Sequence, residues 1–296
     1  MAGAHHPPLL TERECRALLD ARAAGSARIE CSLDLGLTQS VIEPGSATWR
    51  CGGREFPYLE SFRPRSIHYW TGERYEQAAR YAGALYKLVP TEWGAPTFEI
   101  DGIKMLPTAR LSPYADAEQK VALVAPRSKR VLDTCGGLGY FAAWCLRGGA
   151  ARVLSFEKNE TVLWLRTLNP WSPGSAWQPP PGAALQLRQG DIAHEITALP
   201  ERSVDAILHD PPRFSIAGEL YSQAFYEQLA RVLSPGGLLF HYTGAPNSLS
   251  RGRALAREVI SRLQRAQFTA EVNGDGVLAR RAAGGGGLHA HSVPRP

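Results

Sequence analysis

The ten residues Val131-Leu132-Asp133-Thr134-Cys135-Gly136-Gly137-Leu138-Gly139-Tyr140 constrain this chain more than any other stretch. They read as a short apolar strand ending in an acid, a glycine-rich turn and the first residue of a helix. Such a turn lets a nucleotide-like ligand come close to the backbone, because glycine carries no Cβ and a helix N-terminus offers unpaired N–H groups. Several cofactor families use turns of this kind, so the stretch predicts a site without choosing its ligand.

The flanking sequence supplies the sheet to which such a turn belongs. A helix at Glu118–Val124 precedes a strand at Arg130–Asp133 and a helix at Tyr140–Leu146, which Gly148-Gly149 closes. A strand at Arg152–Glu157, a helix at Glu160–Leu168 and strands at Leu185–Gln189 and Val204–His209 follow. A helix at Tyr221–Leu233, a strand at Leu238–Tyr242 and a helix at Arg253–Ala266 complete the alternation. This pattern predicts a parallel sheet covered on both faces. Phe268–Val272 and Val277–Arg280 flank Asn273-Gly274-Asp275-Gly276, a hairpin signal that makes the last strand antiparallel to its neighbours.

The first third reads differently. Thr11-Glu12-Arg13-Glu14 is a capping box opening a helix to about Ala24. Ile29–Leu37, Ser40–Glu43 and Thr48–Phe56 alternate around Pro44-Gly45 and Gly52-Gly53, as a small antiparallel meander does. Helical spacing through Tyr75, Ala78, Ala82, Leu85 and Tyr86 predicts a helix over Glu73–Leu88, and Phe98–Met105 predicts a hairpin turning at Asp101-Gly102. The expected organisation is a small α+β N-terminal substrate or lid domain at 1–110, an α/β cofactor domain at 111–281 and a disordered tail at 282–296. The Pro- and Trp-rich 169–184 stretch is either a lid over the sheet's carboxyl edge or a solvated insertion.

Composition narrows the class. The chain has 296 residues, 44% of them apolar, enough for a real core. No apolar run approaches the roughly 20 residues of a membrane span, and the N-terminus lacks the pattern of a secretory leader, so a cytoplasmic location and no membrane partner are expected. Five cysteines without a Cys-x-x-Cys pair indicate neither a disulfide framework nor a zinc site. The formal charge of +5 permits a nucleic-acid partner without requiring one, because no compact basic block interleaved with aromatics is present.

In open parallel sheets the ligand lies at the carboxyl ends of the strands. Acids stand there in succession: Asp133, Glu157, Asp191 in Gly190-Asp191, and Asp210 in His209-Asp210-Pro211-Pro212-Arg213-Phe214. With these residues the chain, over roughly Ser112–Arg280, resembles the class I S-adenosylmethionine-dependent methyltransferases, whose Rossmann-like sheet ends in an antiparallel hairpin. The resemblance implies S-adenosyl-L-methionine as cofactor and no metal. Asp133, Cys135, Gly136, Gly137 and Gly139 would hold its methionine end. Glu157, followed by Lys158, would accept hydrogen bonds from both ribose hydroxyls, and Asp191 and Ile192 would bind adenine. Cys135 departs from the family pattern, standing where a first glycine is common. Asn169-Pro170-Trp171-Ser172, the Asp-Pro-Pro run and Gly218-Glu219-Leu220-Tyr221-Ser222 resemble a mainly archaeal group within this family.

Asp210-Pro211-Pro212 is similar to the Asp/Asn-Pro-Pro-aromatic motif of methyltransferases that modify amino groups. There an acceptor side chain and a fixed carbonyl draw both N–H bonds of a delocalised amine into position. The expected acceptor is therefore a nitrogen, on an RNA or DNA base or on a small-molecule amine. Arg213 stands where the motif has its aromatic residue and Phe214 follows, so either would stack on the acceptor. His68, Trp70 and Tyr221 are further substrate candidates; a packed, hydrogen-bonded role is the other reading of His68, as it is of His209.

Three alternatives stay open. Asp210-Pro211 followed by Glu219–Tyr226 also resembles the polyamine aminopropyltransferases (spermidine synthase family), which share this fold, carry a small β-rich unit in front and use decarboxylated S-adenosylmethionine. That chemistry needs an acidic groove, and the sequence shows no dense acidic cluster. Gly137-x-Gly139-x-x-Ala142 with Glu157 formally matches a nicotinamide-dinucleotide fingerprint, but that reading leaves Asp133, Asp-Pro-Pro and the terminal hairpin unexplained. A fold retained as a non-catalytic binding subunit is the third. The sequence leaves a homodimer open.

Overall fold

A computed structural model of the chain describes residues 7–106, 110–174, 184–214, 216–244 and 251–283. The N-terminal unit begins with β1 (Leu9–Leu10) and α1 (Glu12–Ala23). Thr11 caps α1 through the expected reciprocal box with Glu14. Strands β2 (Ile29–Cys31), β3 (Ser40–Pro44), β4 (Thr48–Cys51) and β5 (Arg54–Pro57) form the expected antiparallel meander. Trp49, Phe56, Ile42 and Leu18 bury beneath it as a small separate core.

The expected helix over Glu73–Leu88 is not formed. In its place lie β7 (Tyr75–Gln77), β8 (Ala79–Tyr81) and β9 (Leu85–Val89), with β6 (His68–Trp70) before them and the hairpin β10 (Thr97–Ile100) and β11 (Ile103–Lys104) after. Gly83 takes a φ of +75° and turns the chain at a point the helix would have to cross. Along β9, Tyr86 and Leu88 are buried while Leu85 is exposed and Lys87 is half-buried. That period of two fits β9 between β8 and β10, so cross-strand pairing overrides the local helical spacing.

The second unit follows the predicted alternation closely. Its elements are α2 (Pro113–Leu123), β12 (Arg130–Asp133), α3 (Tyr140–Arg147), β13 (Arg152–Glu157), α4 (Glu160–Leu168), β14 (Ala184–Gln189) and α5 (Ile192–Glu195). Then come β15 (Val204–His209), α6 (Gln223–Val232), β16 (Leu233–Tyr242), α7 (Arg251–Arg265), β17 (Phe268–Asn273) and β18 (Gly276–Arg281). Helix α2 starts earlier than its apolar spacing suggests, because Ser112 caps it and Pro113 occupies the first helical position. Helix α6 starts two residues later than expected, behind a 3₁₀ turn at Gly218–Tyr221.

The seven strands are ordered β14-β13-β12-β15-β16-β18-β17. Neighbours among the first five are parallel, and β18 is antiparallel to both β16 and β17, as the terminal hairpin predicts. The order reverses between β12 and β15, which opens the crevice for a ligand at their carboxyl ends. Side chains alternate between two cores. Val131, Val153 and Leu208 join Leu138, Tyr140 and Leu165 on one face, together with Tyr86, Leu88 and Phe98 of the N-terminal unit. Leu132, Ile207 and Leu239 join Ile192, Tyr226, Leu229 and Val259 on the other. The N-terminal unit therefore shares the core on that side of the large sheet, with β9 packed on α4. The proposed lid stretch at 169–184 falls mostly outside the described residues, as does the tail from 284 onward.

Candidate active site

The glycine turn is held from beneath. Gly136 donates to the Phe156 carbonyl at 2.6 Å, and Thr134 donates through its N–H to the Leu208 carbonyl at 3.1 Å, tying the turn to the strands on either side. Gly137 and Gly139 take φ values of +49° and +83°, the left-handed region in which a side chain is strained. Gly139 caps α3 with no side-chain hydrogen bond.

Two acids flank this turn. Asp133 is fully buried on the α3/α4 side, where Ser155 donates to its Oδ2 at 2.8 Å and its Oδ1 has no partner. Burial pushes its carboxyl up to about 6. Glu157 accepts from the Gly137 N–H at 2.9 Å on one oxygen and from the Asn159 N–H at 2.8 Å on the other. Burial raises it also, against those hydrogen bonds and the Arg166 charge. A carboxylate at the strand end is an acceptor that a vicinal diol would fit.

Further along the edge, Asp191 caps α5 by accepting from the Ala193 N–H at 3.0 Å and forms an ion pair with Lys158 at 2.7 Å. Those two contacts outweigh burial and hold its carboxyl below the usual range. Ile192 is buried, and half-buried Cys135 packs against the same core. Gly136 and Gly137 thus sit between Glu157 on one side and Cys135 on the other, a backbone cradle with carboxylates placed for hydroxyl and amine donors. These features fit an adenosine-type cofactor.

The Asp-Pro-Pro loop leaves the neighbouring strand. His209 is buried and locked: its Nε2 donates to the Leu220 carbonyl at 3.1 Å, so Nδ1 accepts from the Thr134 hydroxyl at 2.7 Å. Burial pushes this imidazole well below its usual value, and its role is structural. Tyr221, also buried, donates to the Pro212 carbonyl at 3.0 Å and fixes the loop. Phe214 is 53% exposed and meets Tyr221 edge-on, while Arg213 is exposed.

Around Asp210 the structure gathers residues that the sequence reading did not single out. Lys120 of α2, only 4% exposed, pairs with Asp116 at 2.6 Å and with Asp275 of the β17–β18 turn at 3.4 Å. Its ammonium lies 4.0 Å from the centre of the Tyr242 ring. Burial alone would lower Lys120, yet Asp210, Asp116 and Asp275 hold it above its usual value. Asp210 is pushed up to about 7 by burial, against the pull of Lys120. Three carboxylates thus share one cation, a local surplus of negative charge. The only sequence signal was the i,i+4 spacing of Asp116 and Lys120; Asp275 reads as a turn residue, and only the fold carries it across.

His68 and Trp70 lie elsewhere. His68 is buried in the strand pair β6–β7, and burial lowers its imidazole. Trp70 packs on Phe56 and Tyr75 against the N-terminal core.

Residues 159–253 match a family described as S-adenosyl-L-methionine-dependent methyltransferase. An uncharacterized protein of Methanocaldococcus jannaschii, MJ1233, is 42% identical over 198 residues, covering 67% of this chain and 66% of that protein. Polyamine aminopropyltransferase 2 of Streptomyces coelicolor is 31% identical over 148 residues, 47% of this chain and 25% of that one. The chain therefore spans somewhat under two thirds of the first relative's length and a quarter of the second's. In fold, it superposes on a spermidine synthase crystallised with a transition-state analogue at a TM-score of 0.53 and 16% identity, covering 70% of this chain and 73% of that one. The spermidine synthase of Thermotoga maritima gives 0.52 and 15%, covering 70% and 72%. Over residues 159–253 the chain thus resembles the S-adenosyl-L-methionine-dependent methyltransferases, and its fold is that of the two spermidine synthases.

Proposed function

We propose that this protein transfers the methyl group of S-adenosyl-L-methionine to the nitrogen of a cationic small-molecule amine. The observation that carries the choice of acceptor is the convergence of Asp210, Asp116 and Asp275 on Lys120 beside the Asp-Pro-Pro loop. That surplus of carboxylate favours an ammonium and repels the phosphates of a nucleic acid. Bound here, the cofactor supplies an electrophilic methyl group on a sulfonium. Glu157 would accept from the ribose hydroxyls, Gly136 and Gly137 would let the cofactor approach the backbone, and Asp133, Asp191 and Ile192 would complete its setting. Asp210 would take a proton from the incoming ammonium onto a carboxylate oxygen, leaving the nitrogen lone pair free as the nucleophile. A carboxyl pushed up to about 7 suits that exchange near neutral pH. The Pro211 and Pro212 rings fix the loop, with Tyr221, Phe214 and Arg213 around its mouth. Alignment and electrostatics then supply most of the acceleration.

The same acidic corner favours a second reading, aminopropyl transfer from decarboxylated S-adenosylmethionine. The Streptomyces relative is named for that reaction, and the two spermidine synthases share the fold. The deciding experiment incubates the full chain separately with each of the two cofactors and a panel of diamines, monoamines, RNA and DNA, with products identified by mass. Amines that gain one methyl group support the first reading. Gain of an aminopropyl group establishes the second, and methylation confined to nucleic acid refutes the choice of acceptor.

A further inference from the structure

Arg166 is the charged residue that the proposed reaction leaves unused. It lies in α4 and is 4% exposed, and its Nε, Nη1 and Nη2 have no hydrogen-bond partner. Its guanidinium presses against the inner side of the glycine turn. A Cβ at Gly139 would stand 2.5 Å from its central carbon, and one at Gly136 would stand 3.4 Å from Nη1. The unpartnered Oδ1 of Asp133 belongs to the same inner face. An arginine does not shed its proton, so burial without a bonded anion costs stability that a methionine of similar length would not cost. The carboxylates whose charge reaches it are Asp133 and Glu157.

We propose that Arg166 is a positioning residue for the cofactor: from beneath the turn it balances Asp133 and Glu157, keeping Glu157 ionised as an acceptor for the ribose hydroxyls. This inference rests on the role of Glu157 given under the proposed function. The titratable groups facing Glu157 are Asp133 at the end of β12, Cys135 in the turn and Arg166 from α4, while Lys158 is taken up by Asp191. Of these, Arg166 is the cation that counters burial and the Asp133 charge. Without it, Glu157 takes up a proton nearer neutrality, and one of its acceptor oxygens becomes a hydroxyl.

The test is calorimetric titration of the full chain with S-adenosylmethionine and with decarboxylated S-adenosylmethionine between pH 6 and 9, using Arg166→Lys, Arg166→Met and Glu157→Gln. Arg166→Met is expected to bind both cofactors about tenfold more weakly at pH 6, with recovery towards pH 9, because both carry the same ribose. Arg166→Lys keeps the charge and stays close to wild type. Three outcomes overturn the proposal: melting falls while affinity and pH profile match wild type; the loss is confined to the carboxylate-bearing cofactor, making Arg166 a direct anchor; or the loss is independent of pH. Should Arg166→Met fail to fold, Arg166→Gln replaces it under the same criteria. Wild-type binding by Glu157→Gln would refute the ribose role itself. Weakened binding by Glu157→Gln beside unaffected Arg166→Met would refute the role of Arg166 alone.

Discussion

Replacing Asp210 by asparagine separates the chemical task of this carboxylate from its burden on the fold. Burial raises the group from an ordinary 3.8 to about 7 in the folded chain, a value that already contains the attraction of Lys120. At full burial that difference corresponds to roughly 4 kcal/mol of native-state destabilisation once the carboxyl is ionised. Because Asp210 is only half-buried, solvent screening brings the expected figure to about 2 kcal/mol. The sign follows from the raised value. The native state holds the proton more tightly than the unfolded chain, so this contribution is intact below pH 3.8 and is lost progressively as pH rises towards 7. Asparagine resembles the protonated carboxyl and does not titrate. Asp210→Asn should therefore melt several degrees above wild type at pH 8, a gain of about 2 kcal/mol, with the gap much reduced at pH 5. Transfer should fall at least about 100-fold, the typical contribution of a placed general base. The assays are thermal melts of both proteins across this pH range and turnover with the accepted amine. Equal pH dependence of melting in the two proteins would refute the buried-carboxylate argument, and full turnover by the asparagine variant would refute the proton-transfer role.

Two further perturbations test the frame around the site. Gly139→Ala places a Cβ in a left-handed backbone position 2.5 Å from the guanidinium carbon of the buried Arg166. A loss of about 2 kcal/mol and weakened cofactor binding are expected by melting and calorimetry; an unchanged melt would show that the turn can relax. Asp205 accepts from the Arg130 N–H, Nε and Nη2 and from the Ser234 hydroxyl, linking three strands at the sheet's amino end. The Arg130 hydrogen bonds hold its carboxyl well below the usual range, so this stabilisation is full above about pH 4 and is lost as pH falls. With the side chain 32% exposed, Asp205→Asn should cost only about 1 kcal/mol at pH 7 and progressively less below pH 4, while leaving turnover untouched. A constant difference across that range would show that charge is not what ties these strands.

Much of the fold was legible because it is written in short-range pattern. The capping box at Thr11, the βα alternation from Arg130 onward and the Asn-Gly-Asp-Gly hairpin each state a local preference that the tertiary structure keeps. The stretch Glu73–Leu88 was misread because its apolar spacing satisfies a helix as well as it satisfies strands. Only the neighbours β6 and β10, which supply partners for its backbone groups, decide the matter. Among candidate site residues, the glycine turn and the acids at strand ends were visible because one connection places each at the carboxyl edge. Lys120, Asp116 and Asp275 were not, since they come from a helix before the first strand and a turn after the last helix.

The sequence by itself determined the glycine turn, the acids beside it and the order of strands and helices that carries them, because each depends on residues adjacent in the chain. The tertiary structure alone decided that an acidic corner closes around Lys120 and Asp210, and that Arg166 lies charged and unbonded beneath the turn. The physical reason is that burial and electrostatic coupling depend on distance in space. Asp116, Asp210 and Asp275 acquire their shared charge balance only when the parallel sheet and its terminal hairpin bring their three segments to one edge.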